Sequence, residues 1–311
     1  MSNTAANLHH KIDSASDLKG VVRTMKALAA SSISQYEKSV SSLSDYYRTV
    51  ELGLSATIQA VDVNLAAVGA LSNTDKQDDN IVSVIVFGSD QGLVGQFNED
   101  IADFAIKTLT DLGAQSQSTQ LQVWAVGERV YSRLADAGLS MEKSFTVPTS
   151  INEITALVGQ IQIDSETHLT NASAARVYVF YNQMQSGAQY QPISQRLLPL
   201  DQKWQRELAQ IPWPTKRLPE ILGSNDMTLR ALIREYIFIS LYRACAESLA
   251  SENASRLAAM QRAEKNIAEL LDNLGKEFHE LRQSAIDAEL SDVLAGYELL
   301  NTIYGLSPIA R

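Results

Sequence analysis

Leu257 to Ala285 reads LAAMQRAEKNIAELLDNLGKEFHELRQSA. Leu257, Met260, Ile267, Leu271, Leu274, Phe278, Leu281 and Ala285 fall on a three-four-three-four ladder with Glu264 as its one polar rung, which is a heptad seam. After Ala285 the ladder slips by one position and resumes as Ile286, Leu290, Val293, Tyr297 and Leu300, a change of phase that a supercoiled helix absorbs. No proline interrupts Met227 to Ser307. A helix from Met227 to Leu300 is about 110 Å long at about 1.5 Å per residue, so much of it protrudes from any domain the chain can build. A seam of this length demands a partner helix.

The other end of the chain supplies one. Leu8 to Val68 is also free of proline, and Leu18, Val22, Met25, Ala29, Ser32 and Tyr36 repeat the ladder. After another one-residue slip it continues as Val40, Leu43, Tyr47, Val50, Leu54, Thr57 and Val61. Small residues at Ala27, Ala29, Ala30, Ser31 and Ser32 permit close approach of a larger-residue helix. Ser16 or Asp17 is the expected N-cap.

Between the ends the pattern changes. Ile81 to Phe87 (IVSVIVF) is β-branched and almost wholly apolar, a buried strand. It runs into Gly88-Ser89-Asp90-Gln91-Gly92-Leu93-Val94-Gly95, a tight turn in which Gly92 and Gly95 are expected to supply unusual backbone angles. Asn98 then opens a helix over Glu99 to Leu112. Leu121 to Val126 is a second strand, followed by helices over Glu128 to Leu134 and Ile151 to Ile163. Ala175 to Tyr181 and Ile193 to Leu198 are further strands. This alternation predicts an α/β layer with a largely parallel sheet. Pro192, Pro199, Pro212, Pro214 and Pro219, with Trp204 and Trp213, mark an irregular connection to the terminal helix. The expected divisions are residues 1–70, 71–222 and 223–311.

Composition narrows the function. The formal charge of -10 over 311 residues argues against nucleic acid as a partner. From Met1 to Ala70, six basic side chains balance six acidic ones, so the acid excess lies elsewhere. Cys245, the single cysteine, has no disulfide partner within the chain, which fits a reducing compartment. No signal peptide and no bilayer-length apolar run is present, so a soluble protein without membrane insertion is expected.

Catalytic chemistry finds no foothold. The turn after the first strand sits where an open α/β sheet binds phosphate, yet it has neither dinucleotide spacing nor the Lys-Ser or Lys-Thr of a P-loop. His9, His10, His168 and His279 lack neighbours at metal-ligand spacing and are expected on the surface. Cys245 lies in a helical run and reads as a packed hydrophobe. Neither a cofactor nor a metal is expected. On the residues alone, a coiled-coil adaptor or scaffold and a small-ligand α/β enzyme stand as alternatives to a specific machine.

Three blocks resemble the gamma subunit of F-type ATP synthases, the central-stalk rotor. The first is Lys11-Ile12-Asp13-Ser14 with Met25-Lys26-Ala27-Leu28-Ala29-Ala30-Ser31. The second is the Gly88 to Gly95 turn, similar to the family's Ser-Asp-Arg-Gly-Leu-Cys-Gly loop. The third runs from Ser248 to Met260 (SLASENASRLAAM), with Ala263, Asn266, Arg282-Gln283-Ser284-Ala285-Ile286 and Glu289-Leu290 following at the family's spacing. Departures are Gln91 for Arg, Val94 for Cys, Gln96 for Gly, Asp287 for Thr, and Leu18 to Arg23 in place of a Thr- and Lys-rich turn. They mark a divergent member, of the kind an alternative, sodium-coupled bacterial synthase would carry.

The resemblance implies a long antiparallel coiled coil of the terminal helices with a central Rossmann-like α/β domain. It implies a rotor without catalytic residues, carrying torque between a membrane-embedded c ring and a catalytic hexamer of alpha and beta subunits. The epsilon subunit is a further implied partner, and the place is the cytoplasmic face of a bacterial inner membrane. Met25, with Lys26 beside it, matches a position near the catalytic subunits' acidic loop. Arg256, Arg282 and Gln283 match positions that engage beta-subunit loops, and Glu289, Ser291 and Asp292 match further polar positions. Tyr297, Leu299, Leu300, Ile303 and Tyr304 form an apolar tip expected to run in an apolar collar.

Overall fold

The computed structural model describes residues 5–60, 81–114, 120–169, 176–185, 189–198, 208, 210–217 and 219–304. Val61 to Val68, Pro199 and Trp204, and the side chains of His168, Ile303 and Tyr304, lie outside the described residues. In chain order the elements are α1 (Ala5–Ala60), β1 (Ile81–Phe87), α2 (Phe97–Ala114), β2 (Gln120–Val126), α3 (Glu128–Asp136), β3 (Met141–Phe145), α4 (Ile151–Leu169), β4 (Arg176–Met184), β5 (Tyr190–Leu198) and α5 (Asn225–Tyr304). Contacts divide the chain into two units, Leu28–Ala259 and the pair Met1–Ala27 with Met260–Arg311.

In the larger unit the strands form one sheet in the order β3-β2-β1-β4-β5. β3, β2, β1 and β4 are parallel, while β5 is antiparallel to β4. Alternation along β1 sorts its side chains. Val82, Val84 and Val86 face Ile101, Ala105 and Leu109 of α2 and Val130 and Leu134 of α3. Ile85 and Phe87 face the other way, into a core with Ile154, Val158 and Ile161 of α4, Tyr36 of α1, and Leu241, Cys245 and Leu249 of α5. Both faces of β1 are therefore buried, which is why it reads as a continuous apolar run. The long helices are themselves a layer on the sheet. Near the start of α5, Leu229, Ile233, Tyr236 and Ile239 form a third cluster with Val50 and Leu54 of α1.

The N-terminal helix begins by Ala5, so Ser16 and Asp17 are interior residues and not a cap. β3 escapes a reading by periodicity because it is an edge strand with Met141 half-buried, Glu142, Lys143 and Ser144 exposed and only Phe145 buried. Its Lys143 pairs with Asp164 at 2.6 Å and lies over the Phe145 ring. β5 starts three residues before Ile193 because its Pro192 lies on an edge strand, where a missing N–H costs no ladder bond.

The seam of α1 is a stricter heptad than the ladder read from sequence. Leu8, Ala15, Val22, Ala29 and Tyr36 are buried at intervals of seven. Leu18 is 58% exposed, while Met25 and Ser32, at the equivalent heptad position, are half-buried. Beyond Tyr36 the phase shifts as the sequence implies: Val40, Leu43 and Tyr47 are half-buried, and Val50, Leu54 and Thr57 are buried.

Candidate functional site: the anchored helix and its bare end

The turn after β1 is a fastening. Asn98 does not cap α2 but lies inside it, and its carboxamide reaches back: Ser89 N–H donates to Asn98 Oδ1 at 2.9 Å, and Asn98 Nδ2 donates to Ser89 Oγ at 2.8 Å. Asp90 accepts two backbone N–H groups, from Glu128 at 2.9 Å and from Val147 at 2.8 Å, tying the start of α3 and the segment after β3 to the turn. The left-handed positions are Leu93 (φ 63°) and Gly95 (φ 60°), and Gly92 is not one of them. Gly127 has φ 116°, and a Cβ there would stand 2.7 Å from the Ser89 nitrogen, so only glycine lets the two turns meet.

α5 lies over this turn through buried serines one helical turn apart. Ser255 Oγ donates to the Val94 carbonyl. Ser251 Oγ donates to the Asn182 carbonyl at 2.8 Å, and Asn182 Nδ2 donates to the Phe97 carbonyl at 2.9 Å. The carboxyl ends of β1 and β4, where an open α/β sheet would take a ligand, are thus spanned by hydrogen bonds to α5. Glu252, between the serines, pairs with Arg256 at 2.7 Å. Burial pushes the Glu252 carboxyl above the usual carboxylate range, and Arg256 opposes that shift. A cavity of about 210 Å³ remains beside them, lined by Tyr36, Asp90, Gln91, Glu252, Asn253 and Arg256 among others. Burial raises the Cys245 thiol well above its ordinary value, which leaves it an inert core residue. No cluster of metal-ligating side chains occurs among the described residues.

In the smaller unit α1 and α5 run antiparallel, since Arg23 meets Glu264 while His9 meets Phe278 edge to face. Leu8, Ala15 and Val22 are buried on α1, and Met260 and Leu274 on α5. Met25 is half-buried. Lys26 is ion-paired with Glu264, whose other oxygen takes Arg23 Nε at 2.9 Å. Lys26 and Arg23 hold the Glu264 carboxyl below the usual carboxylate range. His9 is exposed and bonds Asp13 at 2.9 Å.

Past Leu281 the burial stops. Every residue from Arg282 to Leu300 is exposed, although the helix continues to Tyr304. Ile286, Leu290, Val293, Leu294, Tyr297, Leu299 and Leu300 all project into solvent, Val293 at 71% exposure. The slip after Ala285 therefore serves no packing within the described chain. Arg282, Gln283, Glu289, Ser291, Asp292, Tyr297 and Leu300 come together on this one bare helix. Met25 and Lys26 belong instead to the coiled-coil seam, and Arg256 to the fastening in the larger unit. Sequence reasoning missed the fasteners Asn98, Asn182, Ser251 and Ser255; the signal for the serines was their spacing of four within a resembling block. It also missed Arg23, three residues before Lys26.

Residues 4–300 match the family model described as ATP synthase. The ATP synthase gamma chain of Nitrosomonas eutropha is 25% identical over 300 residues, spanning 94% of this chain and 98% of the relative. The chain belongs to the ATP synthase gamma chain family. The gamma chain of Micrococcus luteus is 26% identical over 294 residues, with 94% and 96% covered. Among solved structures, a chain of the Euglena gracilis mitochondrial ATP synthase superposes with a TM-score of 0.58 at 14% identity, covering 99% of this chain and 98% of that one. A chain of the Tetrahymena thermophila central stalk and c-ring structure gives 0.51 at 20% identity over 78% and 99%. These likenesses carry the gamma fold. As a gamma chain this protein is a subunit of the ATP synthase complex, and no described helix is long and apolar enough to cross a membrane.

Proposed function

We propose that this chain is the central-stalk rotor of an F-type ATP synthase, transmitting torque between a c ring and a catalytic hexamer of alpha and beta subunits. The observation that carries this reading is the bare end of α5, whose apolar stripe of Ile286, Leu290, Val293, Tyr297 and Leu300 is exposed and has no cover among the described residues. In water such a helix has no source of stability from packing, so it needs a sleeve. Contacts between an apolar shaft and an apolar collar are non-directional and permit turning with a low barrier. The polar Arg282, Gln283, Glu289, Ser291 and Asp292 are the residues of that end suited to hydrogen-bond the catalytic subunits' loops. Met25, Lys26 and Arg256 are the remaining candidates for stator contact.

The fastening explains how load enters the shaft. Directional hydrogen bonds from Ser251 and Ser255 join α5 to the sheet, so rotation of the α/β domain turns the helix instead of slipping around it. Apolar packing alone would resist such slip poorly. The rotor supplies no catalytic residue of its own, and phosphoryl chemistry belongs to the alpha and beta subunits. The epsilon subunit and the c ring complete the partners of the α/β domain, at the cytoplasmic face of a bacterial inner membrane. Affinity purification of the tagged full-length chain from its own host is expected to return alpha and beta subunits in stoichiometric amounts with ATPase activity. Recovery of the chain alone, or with unrelated proteins, would overturn the assignment.

A further inference from the structure

The coiled coil carries one feature that its apolar seam does not require. Glu264 occupies a rung of the α5 ladder, only 22% of its side chain is exposed, and it receives both Arg23 and Lys26 from α1. The buried stripe of α1 repeats every seven residues, with two alanines among its members. A seam so regular and so small-sided discriminates weakly between positions of one helix along the other, because apolar contact is non-directional and scales with the area buried. A polar rung inside such a seam is satisfied in one register only.

The sequence of α1 makes this quantitative. Arg23 and Lys26 are the only Lys or Arg residues spaced three apart between Ala5 and Ala60. A one-turn slip puts Glu264 opposite Lys19 and Val22, Gly20 and Arg23, Lys26 and Ala29, or Ala27 and Ala30. A heptad slip offers Ser16 and Lys19, or Ala30 and Ile33. In none of these registers do two cations three residues apart grip Glu264 as Arg23 and Lys26 do, while the apolar ladder still finds apolar partners after a heptad shift. We propose that Glu264, forked between Arg23 and Lys26, is a positioning residue that locks the axial register of α1 against α5. In a shaft that is twisted under load, the two helices tend to slide along their common seam, and this ionic fork is the directional contact that resists sliding.

The lock separates from plain stability in one substitution. Glu264→Leu restores an apolar rung, and replacing a partly buried ion pair by an apolar side chain is commonly neutral or stabilising. The expectation is therefore a full-length chain with undiminished thermal stability and loosened register. Cysteines at positions 9 and 278 report the native register, because the His9 and Phe278 rings are adjacent. Cysteine pairs at 9 and 274, and at 9 and 281, report slips of about one turn. Under mild oxidation the full-length chain with Glu264 intact should cross-link through the 9/278 pair and slowly through the slipped pairs.

With Glu264→Leu, slipped cross-linking should rise about tenfold, and 1 M salt should raise it in the parent chain, since the screening length there is only about 3 Å. Arg23→Ala with Lys26→Ala should behave like Glu264→Leu, testing the lock from the other helix. The charge exchange Glu264→Lys with Arg23→Glu and Lys26→Glu should restore the native pattern. Slipped cross-linking that stays slow in both single-sided variants would overturn the proposal, as would a charge exchange that fails to restore register in a folded chain.

Discussion

At the level of single residues, the fastening and the lock make distinct demands. Gly127 combines a φ of 116° with a Cβ position 2.7 Å from the Ser89 nitrogen. Gly127→Ala should destabilise the chain by about 2 to 3 kcal/mol in a denaturant titration, since strain and overlap act together. Ser251→Ala leaves the buried Asn182 carbonyl without its helix donor and should cost about 1 to 3 kcal/mol by the same measurement. Glu264 sets a pH dependence. Lys26 and Arg23 depress its carboxyl, so the stability it contributes is complete once an unfolded glutamate has ionised, above about pH 5, and is lost as pH falls through the depressed value. The melting temperature should fall more steeply on acidification in the parent chain than in Glu264→Gln. Equal slopes would show that the fork contributes nothing. The ladder marks Glu264 as polar, but its partners lie on a helix more than two hundred positions away, so no local pattern names them.

Among the elements, α5 shows what periodicity reveals and what it hides. Its extent follows from a proline-free run with apolar residues at helical spacing, and the structure gives Asn225–Tyr304. Leu274 and Val293 look alike in that pattern. Leu274 is buried, whereas Val293 has no cover among the described residues. Leu274→Ala should therefore cost about 2 to 5 kcal/mol in the isolated chain. Val293→Ser should change its stability by less than about 0.5 kcal/mol while lowering ATP turnover of the assembled complex. Turnover unaffected by Val293→Ser together with Tyr297→Ser would remove the bare end from the functional surface. β3 is the opposite case: its exposed Glu142, Lys143 and Ser144 carry no strand signal, and only pairing with β2 makes it a strand.

For the whole molecule, stability should be graded. β1, β4 and residues 229–250 of α5 supply the buried clusters, so their amides should exchange slowest, while those of 282–300 should exchange fastest in the free chain. On the rotor reading, assembly with the catalytic subunits protects the latter segment from both exchange and proteolysis. Unchanged protection on assembly would contradict that reading.

The sequence by itself determined the α/β class, the two long helices with their phase slips, most strands of the sheet, and the family. All of these rest on local periodicity or on residue blocks contiguous in the chain. Only the tertiary structure decided that the Gly88 to Gly95 turn is tied by hydrogen bonds to α2, α3 and α5, that Leu18 faces solvent, and that Glu264 is held by Arg23 and Lys26. Those outcomes depend on which groups meet across sequence separations that no local pattern spans, because hydrogen bonds and ion pairs are short-ranged and only the folded chain brings their partners within reach.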